Sequence, residues 1–177
     1  MGWSTKYDIE FKGLKEGLHE FEYDIENEFF EYFDSEFVTV GSLLVKVKLE
    51  KRSTFLKLFF YIKGWIELTC DRCLGQYSQD IVHKDEIFVK FGENVDQSDD
   101  KIIWVLAGEH CINIARLVYE YIIISIPLRH VHPDNEIGES TCNSEMIRKL
   151  EEYSCAPHEK ADTDPRWDAL KSILKSR

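Results

Sequence analysis

The chain has 177 residues, 44% hydrophobic and 13% aromatic, enough to bury the core of one compact domain with short appendages. Its formal net charge is −11, and the acid is concentrated: residues 1–37 hold eleven Asp and Glu against three Lys, residues 38–150 sixteen acids against fourteen bases. Such a surface disfavours indiscriminate nucleic-acid binding and suits a basic protein partner, although it also serves simply to keep a protein solvated. No apolar run follows the first six residues as a secretory signal requires. The most hydrophobic stretch, residues 112–128, is broken by Asn113, Arg116 and Glu120, too often for a membrane span. Five cysteines without a signal peptide fit a reducing cytoplasm better than a disulfide framework.

In chain order, residues 6–12 alternate polar and apolar as a half-buried strand does, and residues 18–26 suggest a second. The acidic, aromatic segment 27–33 reads as one or two helical turns capped near Asn27 or Asp24, its rings plugging the core. From 38 to 67 the β pattern is strong. Val45, Val47 and Leu49 share one face, and Leu56, Leu58, Phe60 and Ile62 share another, with Phe55, Lys57, Phe59, Tyr61 and Lys63 opposite. Gly64 is a candidate bulge or bend. Residues 81–91 form a further strand and 102–106 a short buried one. The loop between them carries Asp96, Asp99 and Asp100 but lacks the spacing and distal Glu of a calcium loop.

Residues 113–125 read as a helix with Ile114, Leu117, Val118, Tyr121 and Ile122 as its apolar stripe, Asn113 at its cap and Pro127 just beyond its end. The β-branched run 121–126 is the competing strand reading. Residues 145–153 form a polar helix, 154–163 a linker, and Asp164-Pro165 begins a final short helix. The expected fold is α+β: an antiparallel sheet of five to seven strands, a central helix near 113–126 and short C-terminal helices. Residues 1–153 form the domain, and 154–177 the linker and terminal helix.

Three constellations carry chemistry. Cys70-Asp71-Arg72-Cys73 sits at the turn after a strand, where two thiols can point at one centre. A thioredoxin-like pair needs a helix starting at Cys70, whereas Gly75 and a strand follow here. A zinc knuckle needs two more ligands. The downstream candidates are His130, His132, Cys142 and Cys155, with His132 and Cys142 ten residues apart in one loop region. Tight packing of two thiols is the alternative. Cys111, beside His110, reads as a small apolar residue.

Between Val45 and Lys63 lie six basic residues and one acid. Lys46, Lys48, Arg52, Lys57 and Lys63, interleaved with Phe55, Phe59 and Tyr61, make a candidate RNA-contacting face. The competing expectation is that the 113–125 helix covers those rings and leaves the lysines merely solvated. Neither a phosphate loop, a nucleophile elbow nor a His-Glu-x-x-His motif is present, so no catalytic residue is expected.

The run Gly64-x-Ile66-x-Leu68-x-Cys70-Asp71-Arg72-Cys73-Leu74, the segment 112–122, Ser125-Ile126-Pro127 with His132 and Cys142, and Asp164-Pro165-Arg166-Trp167 with Leu170 together resemble the YceD family of large ribosomal RNA subunit accumulation proteins. The resemblance implies a cytoplasmic, non-enzymatic protein needed for accumulation of large-subunit ribosomal RNA. Its expected partners are a pre-ribosomal particle, that RNA, or a basic ribosomal protein. Many relatives carry a second cysteine pair; only Cys142 and Cys155 stand here. That leaves Cys70, Cys73, His132 and Cys142 as the best set for zinc.

Overall fold

The structure is a computed structural model that describes residues 3–92, 101–106 and 108–154. A 3-10 turn (Trp3–Tyr7) leads into β1 (Asp8–Glu10), then β2 (Gly17–Ile25), α1 (Asn27–Tyr32), β3 (Gly41–Lys51), β4 (Phe55–Thr69) and β5 (Gln76–Phe91). After them come β6 (Ile102–Val105), β7 (Cys111–Asn113), α2 (Ala115–Ile124) and α3 (Ser144–Tyr153). Five strands make one sheet in the order β2-β3-β4-β5-β6, and β1 pairs with β7 in a second, two-stranded antiparallel sheet.

The class is α+β as expected, but the sheet is not purely antiparallel. β6 runs parallel to β5, pairing Phe88 with Ile102 and Phe91 with Val105. Parallel neighbours normally need a long crossover. Here the returning strand has four residues and starts beside Phe88, so the chain need retreat only about 10 Å at ~3.3 Å per residue.

The strand periodicity sets the two faces. Val45, Val47, Leu49, Leu56, Leu58, Phe60 and Ile62 are all buried on the inner face. Against it pack Phe29 and Phe30 of α1, Ile9 of β1, Ile112 of β7, and Val118, Tyr121 and Ile122 of α2. Burying each such aliphatic or aromatic side chain contributes about 1.5–3 kcal/mol before entropy is set against it.

Several expectations change. Gly64 is not a bulge. It pairs with Leu43 and Ile81 in unbroken register, and the same parity is buried from Leu56 through Leu68. Asn113 ends β7, and Ile114 takes the N-cap position of α2, although the Asn113 side chain still accepts from the Ala115 amide at 3.1 Å. Residues 121–124 are helix, not strand. Glu26 rather than Asn27 or Asp24 stands at the N-cap position of α1, without a side-chain capping bond; the Asn27 carboxamide accepts instead from the Gly41 amide, tying α1 to the start of β3. The first strand is only Asp8–Glu10 and joins β7 rather than the main sheet. The expected linker and terminal helix of 155–177, with Cys155, and the acidic residues 93–100 lie outside the described residues. Among the described residues, no helix is long and apolar enough to cross a membrane.

Candidate metal centre

The β4–β5 turn carries the cysteine pair. The Cys70 amide donates to the Gly75 carbonyl at 2.9 Å and the Leu74 amide to the Cys70 carbonyl at 2.9 Å, folding the turn back on itself. Leu74 is forced to φ +58, a region costly for a residue with a Cβ. Gly75 leaves room behind the thiols: a Cβ there would meet His132 Cε1 at 3.4 Å and Cys73 Sγ at 3.5 Å.

The loop after α2 comes to this turn. Asp71 holds it by both ends of its own residue: its amide donates to the His130 carbonyl at 2.6 Å, and its Oδ2 accepts from the His130 amide at 2.7 Å. His130 gives its backbone to this contact, and its ring, with Nδ1 3.8 Å from Asp71 Oδ1, is not one of the four clustered donors. His132, two residues on, enters the thiol cluster, and Cys142 arrives from the segment just before α3.

Cys70 Sγ lies 3.7 Å from Cys142 Sγ, Cys73 Sγ 3.4 Å from His132 Nδ1, and Cys142 Sγ 3.7 Å from His132 Nδ1. All four donor atoms fall within 4.8 Å of one another. A tetrahedral zinc ion with Zn–S near 2.3 Å and Zn–N near 2.0 Å has donor-to-donor edges of about 3.5–3.8 Å, close to the three separations of 3.4 and 3.7 Å. The four residues could therefore hold one ion. Three sulfurs and one imidazole suit zinc, and four protein donors leave no open position for substrate, the arrangement of structural sites.

The electrostatics prepare one ligand. Burial opposes a thiolate at Cys70. The amides of Cys73 and Arg72, together with His132, outweigh it and pull the thiol from 9.0 down to about 5. At Cys142 the Ser140 hydroxyl favours the thiolate, but burial and the neighbouring thiols of Cys70 and Cys73 prevail and raise it. The form favoured at Cys70 is the thiolate that a cation would bind. The Tyr77 ring stands 5.2 Å from the His132 ring, and burial, with the charges of Cys70 and Asp71, raises its phenol.

The sequence names all four donors that converge. Cys111 lies instead in β7, paired opposite Glu10. What sequence reasoning missed is Asp71, whose role depends on a partner 59 residues away. As a positioning residue it gives a clear expectation. Asp71→Ala should weaken zinc affinity about tenfold, measured by competition with a chromogenic chelator, and Asp71→Asn should recover part of it through the remaining amide oxygen. Unchanged affinity in the alanine variant would refute the positioning role.

The candidate RNA-contacting residues fall on the outer face of the main sheet. Lys46, Lys48, Lys57, Phe59, Tyr61 and Lys63 point there from β3 and β4, while Arg52 lies in the turn between them, paired with Glu50. The expected covering by the central helix does not occur. α2 packs on the opposite face, where Tyr121 meets Phe60 at 5.1 Å and His83 at 5.1 Å between ring centroids.

An α+β protein with a mixed sheet and, at a strand turn, a Cys3His cluster that could hold a metal ion is the class that fold and site define. Within that class the chain belongs to the YceD family: the family described as Large ribosomal RNA subunit accumulation protein YceD matches residues 58–174. The match contains all four donors, whereas β2, α1 and β3 precede it. No curated protein and no solved structure matches the chain.

Proposed function

We propose that this protein is a non-enzymatic factor promoting accumulation of large-subunit ribosomal RNA, acting by binding a pre-ribosomal particle or a basic ribosomal protein. Membership of the YceD family across residues 58–174 carries the reading. The centre supports it: with every coordination position filled from the chain, a bound zinc ion would fasten the loop after α2 to the sheet rather than turn over a substrate. Around α1, the exposed Glu26, Glu28, Glu31, Asp34 and Glu36 form an acidic end that suits a basic ribosomal protein.

A second reading is a zinc- or redox-responsive protein unrelated to ribosomes. The 3.7 Å separation of Cys70 Sγ and Cys142 Sγ favours it, since two thiols so placed need little movement to couple. Sedimentation of the tagged protein from its own cells at low salt separates the two. The assembly reading expects co-migration with immature large-subunit particles. A protein confined to the light fractions that also captures no ribosomal protein in a pull-down would leave only the second.

A further inference from the structure

We infer that the outward face of β4, β5 and β6 is a binding surface for single-stranded RNA, with two base-stacking hollows joined across Lys57. The inference rests on the ribosomal reading above and names the ligand and surface it would use.

Five half-buried rings stand on this face: Phe55, Phe59 and Tyr61 from β4, Phe88 from β5 and Trp104 from β6. They lie in two concavities. One, of about 620 Å³, is lined by Leu18, Phe59 and Tyr61, with Lys46, Lys48 and Lys84 and the carboxylates of Asp85 and Glu86 around them. The other, of about 450 Å³, is formed by Phe55, Phe88 and Ile102 with Lys90 and Lys101 at its edge. Phe55 and Phe59 are four residues apart on one strand, so the hollows are separated by about 13 Å. Between them Lys57 Nζ sits 4.4 Å from the Phe59 ring centroid and 5.0 Å from that of Phe88.

Cations against ring faces recur across the patch. Lys84 Nζ is 5.3 Å from the Tyr61 ring and Lys90 Nζ 5.7 Å from the Trp104 ring. A nucleobase stacks on such a ring while its phosphate meets the neighbouring cation. A strand with bases in both hollows carries its backbone over Lys57.

The charge balance sets the path. On the β2 side, Lys46 and Lys48 are neutralised by Glu22 at 2.7 Å and Glu20 at 2.8 Å. Lys57 pairs with Glu86 at 3.0 Å and Lys101 with Asp85 at 3.4 Å. Among the described residues, Lys84 and Lys90 pair with no acid. Among the described residues, uncompensated positive charge thus collects beside the Tyr61 and Trp104 rings. An apolar protein partner would bury those two ammonium groups without a counter-charge, which is costly. A polyanion with flat, apolar faces satisfies both features. Duplex RNA hides its base faces and offers phosphate alone, so single strands are selected.

The test uses the full-length, zinc-loaded protein and fluorescence anisotropy with a fluorescein-labelled 12-nucleotide oligouridine, against an RNA duplex of equal length, at two salt concentrations. The single strand should bind at least tenfold more tightly than the duplex. Its affinity should fall with a log–log salt slope of about −1.4, from Lys84 and Lys90 at roughly 0.7 each. Tyr61→Leu and Phe88→Leu keep apolar bulk but lose the ring face, and each should weaken binding roughly five- to hundredfold with thermal melts near the parent's. Equal binding of the duplex overturns the inference, as do ring variants that bind like the parent. So does failure to bind oligouridine by a protein that still co-sediments with large-subunit particles, an outcome that leaves the ribosomal reading in place.

Discussion

Stripping the metal with a chelator should release residues 127–154 while leaving the main sheet folded. α3 buries none of its residues, and its segment meets the core through partly buried Val131, Cys142 and Met146 and through the His132 ring against Tyr77. Besides the Asp71–His130 hydrogen bonds, a metal ion on His132 and Cys142 would anchor it. Zinc binding to a site absent from the disordered segment is worth ordering energy directly, about 10–16 kcal/mol in small zinc-finger peptides. The sheet has its own buried core and does not depend on that energy. The loss is therefore local rather than global. Hydrogen exchange should show protection across 127–154 falling at least about a hundredfold, which corresponds to about 2.7 kcal/mol, while β3 and β4 amides stay protected. Trypsin should then cut at Arg129 and Arg148 first. The variants Cys73→Ser and Cys142→Ser should reproduce the chelated pattern with metal present, and elemental analysis should give one zinc per parent chain. Exchange that is indifferent to the chelator, or a chain that carries no zinc after expression in zinc-supplemented medium, would make the cluster a packing feature of three thiols and a histidine.

The same segment shows why the site was legible in the sequence to the extent it was. Cys70 and Cys73 announce themselves by spacing, because a pair three apart at a strand end converges by local geometry alone. His132 and Cys142 have no such local signal. They could be chosen only as the remaining ligand-type residues of one loop, and the choice leaned on family resemblance. Asp71 carries no signal at all, since an exposed Asp in a turn is common and its value lies in a hydrogen bond to a residue 59 positions away. The long strands were readable because their parity of apolar residues persists over Leu56–Leu68 and Val45–Leu49. β6 and β7, of four and three residues, are too short to show a period, and nothing local specifies that β6 runs parallel. Which face α2 covers is not legible for a related reason. Both faces of β4 are rich in rings, and composition cannot say that Phe60, rather than Phe59 and Tyr61, meets Tyr121.

Gly64 provides the sharpest test of the strand geometry that delivers the cysteines. The register through it is continuous, so its role lies not in bending the backbone but in letting two backbones approach. A Cβ at this position would stand 2.1 Å from the Ser42 carbonyl oxygen and 2.6 Å from Leu43 Cα. Neither obstacle is a flexible side chain that could turn away. Gly41, across the same pair of strands, is also close-fitting, with a Cβ position 3.0 Å from Trp65 O and from Ile66 Cγ2. To admit a methyl group at Gly64, β3 and β4 must separate, breaking ladder hydrogen bonds beside the buried Leu43 and Ile66. Gly64→Ala is therefore expected to destabilise the protein by roughly 3 kcal/mol, about 6–12 °C in Tm for a chain of this size. Gly13→Ala is the matched comparison. Nothing lies within 4 Å of a Cβ there, so its effect should stay within about 0.5 kcal/mol. Denaturant melts of the two variants, both zinc-loaded, decide the matter. Zinc content gives a second readout, because β4 carries the cysteine turn at its end. If separating the strands at Gly64 shifts that end, Gly64→Ala loses zinc affinity as well as stability, whereas a deficit confined to stability would place the strain wholly within the β3–β4 pair. A Gly64→Ala protein as stable as the Gly13→Ala control would contradict the close approach itself.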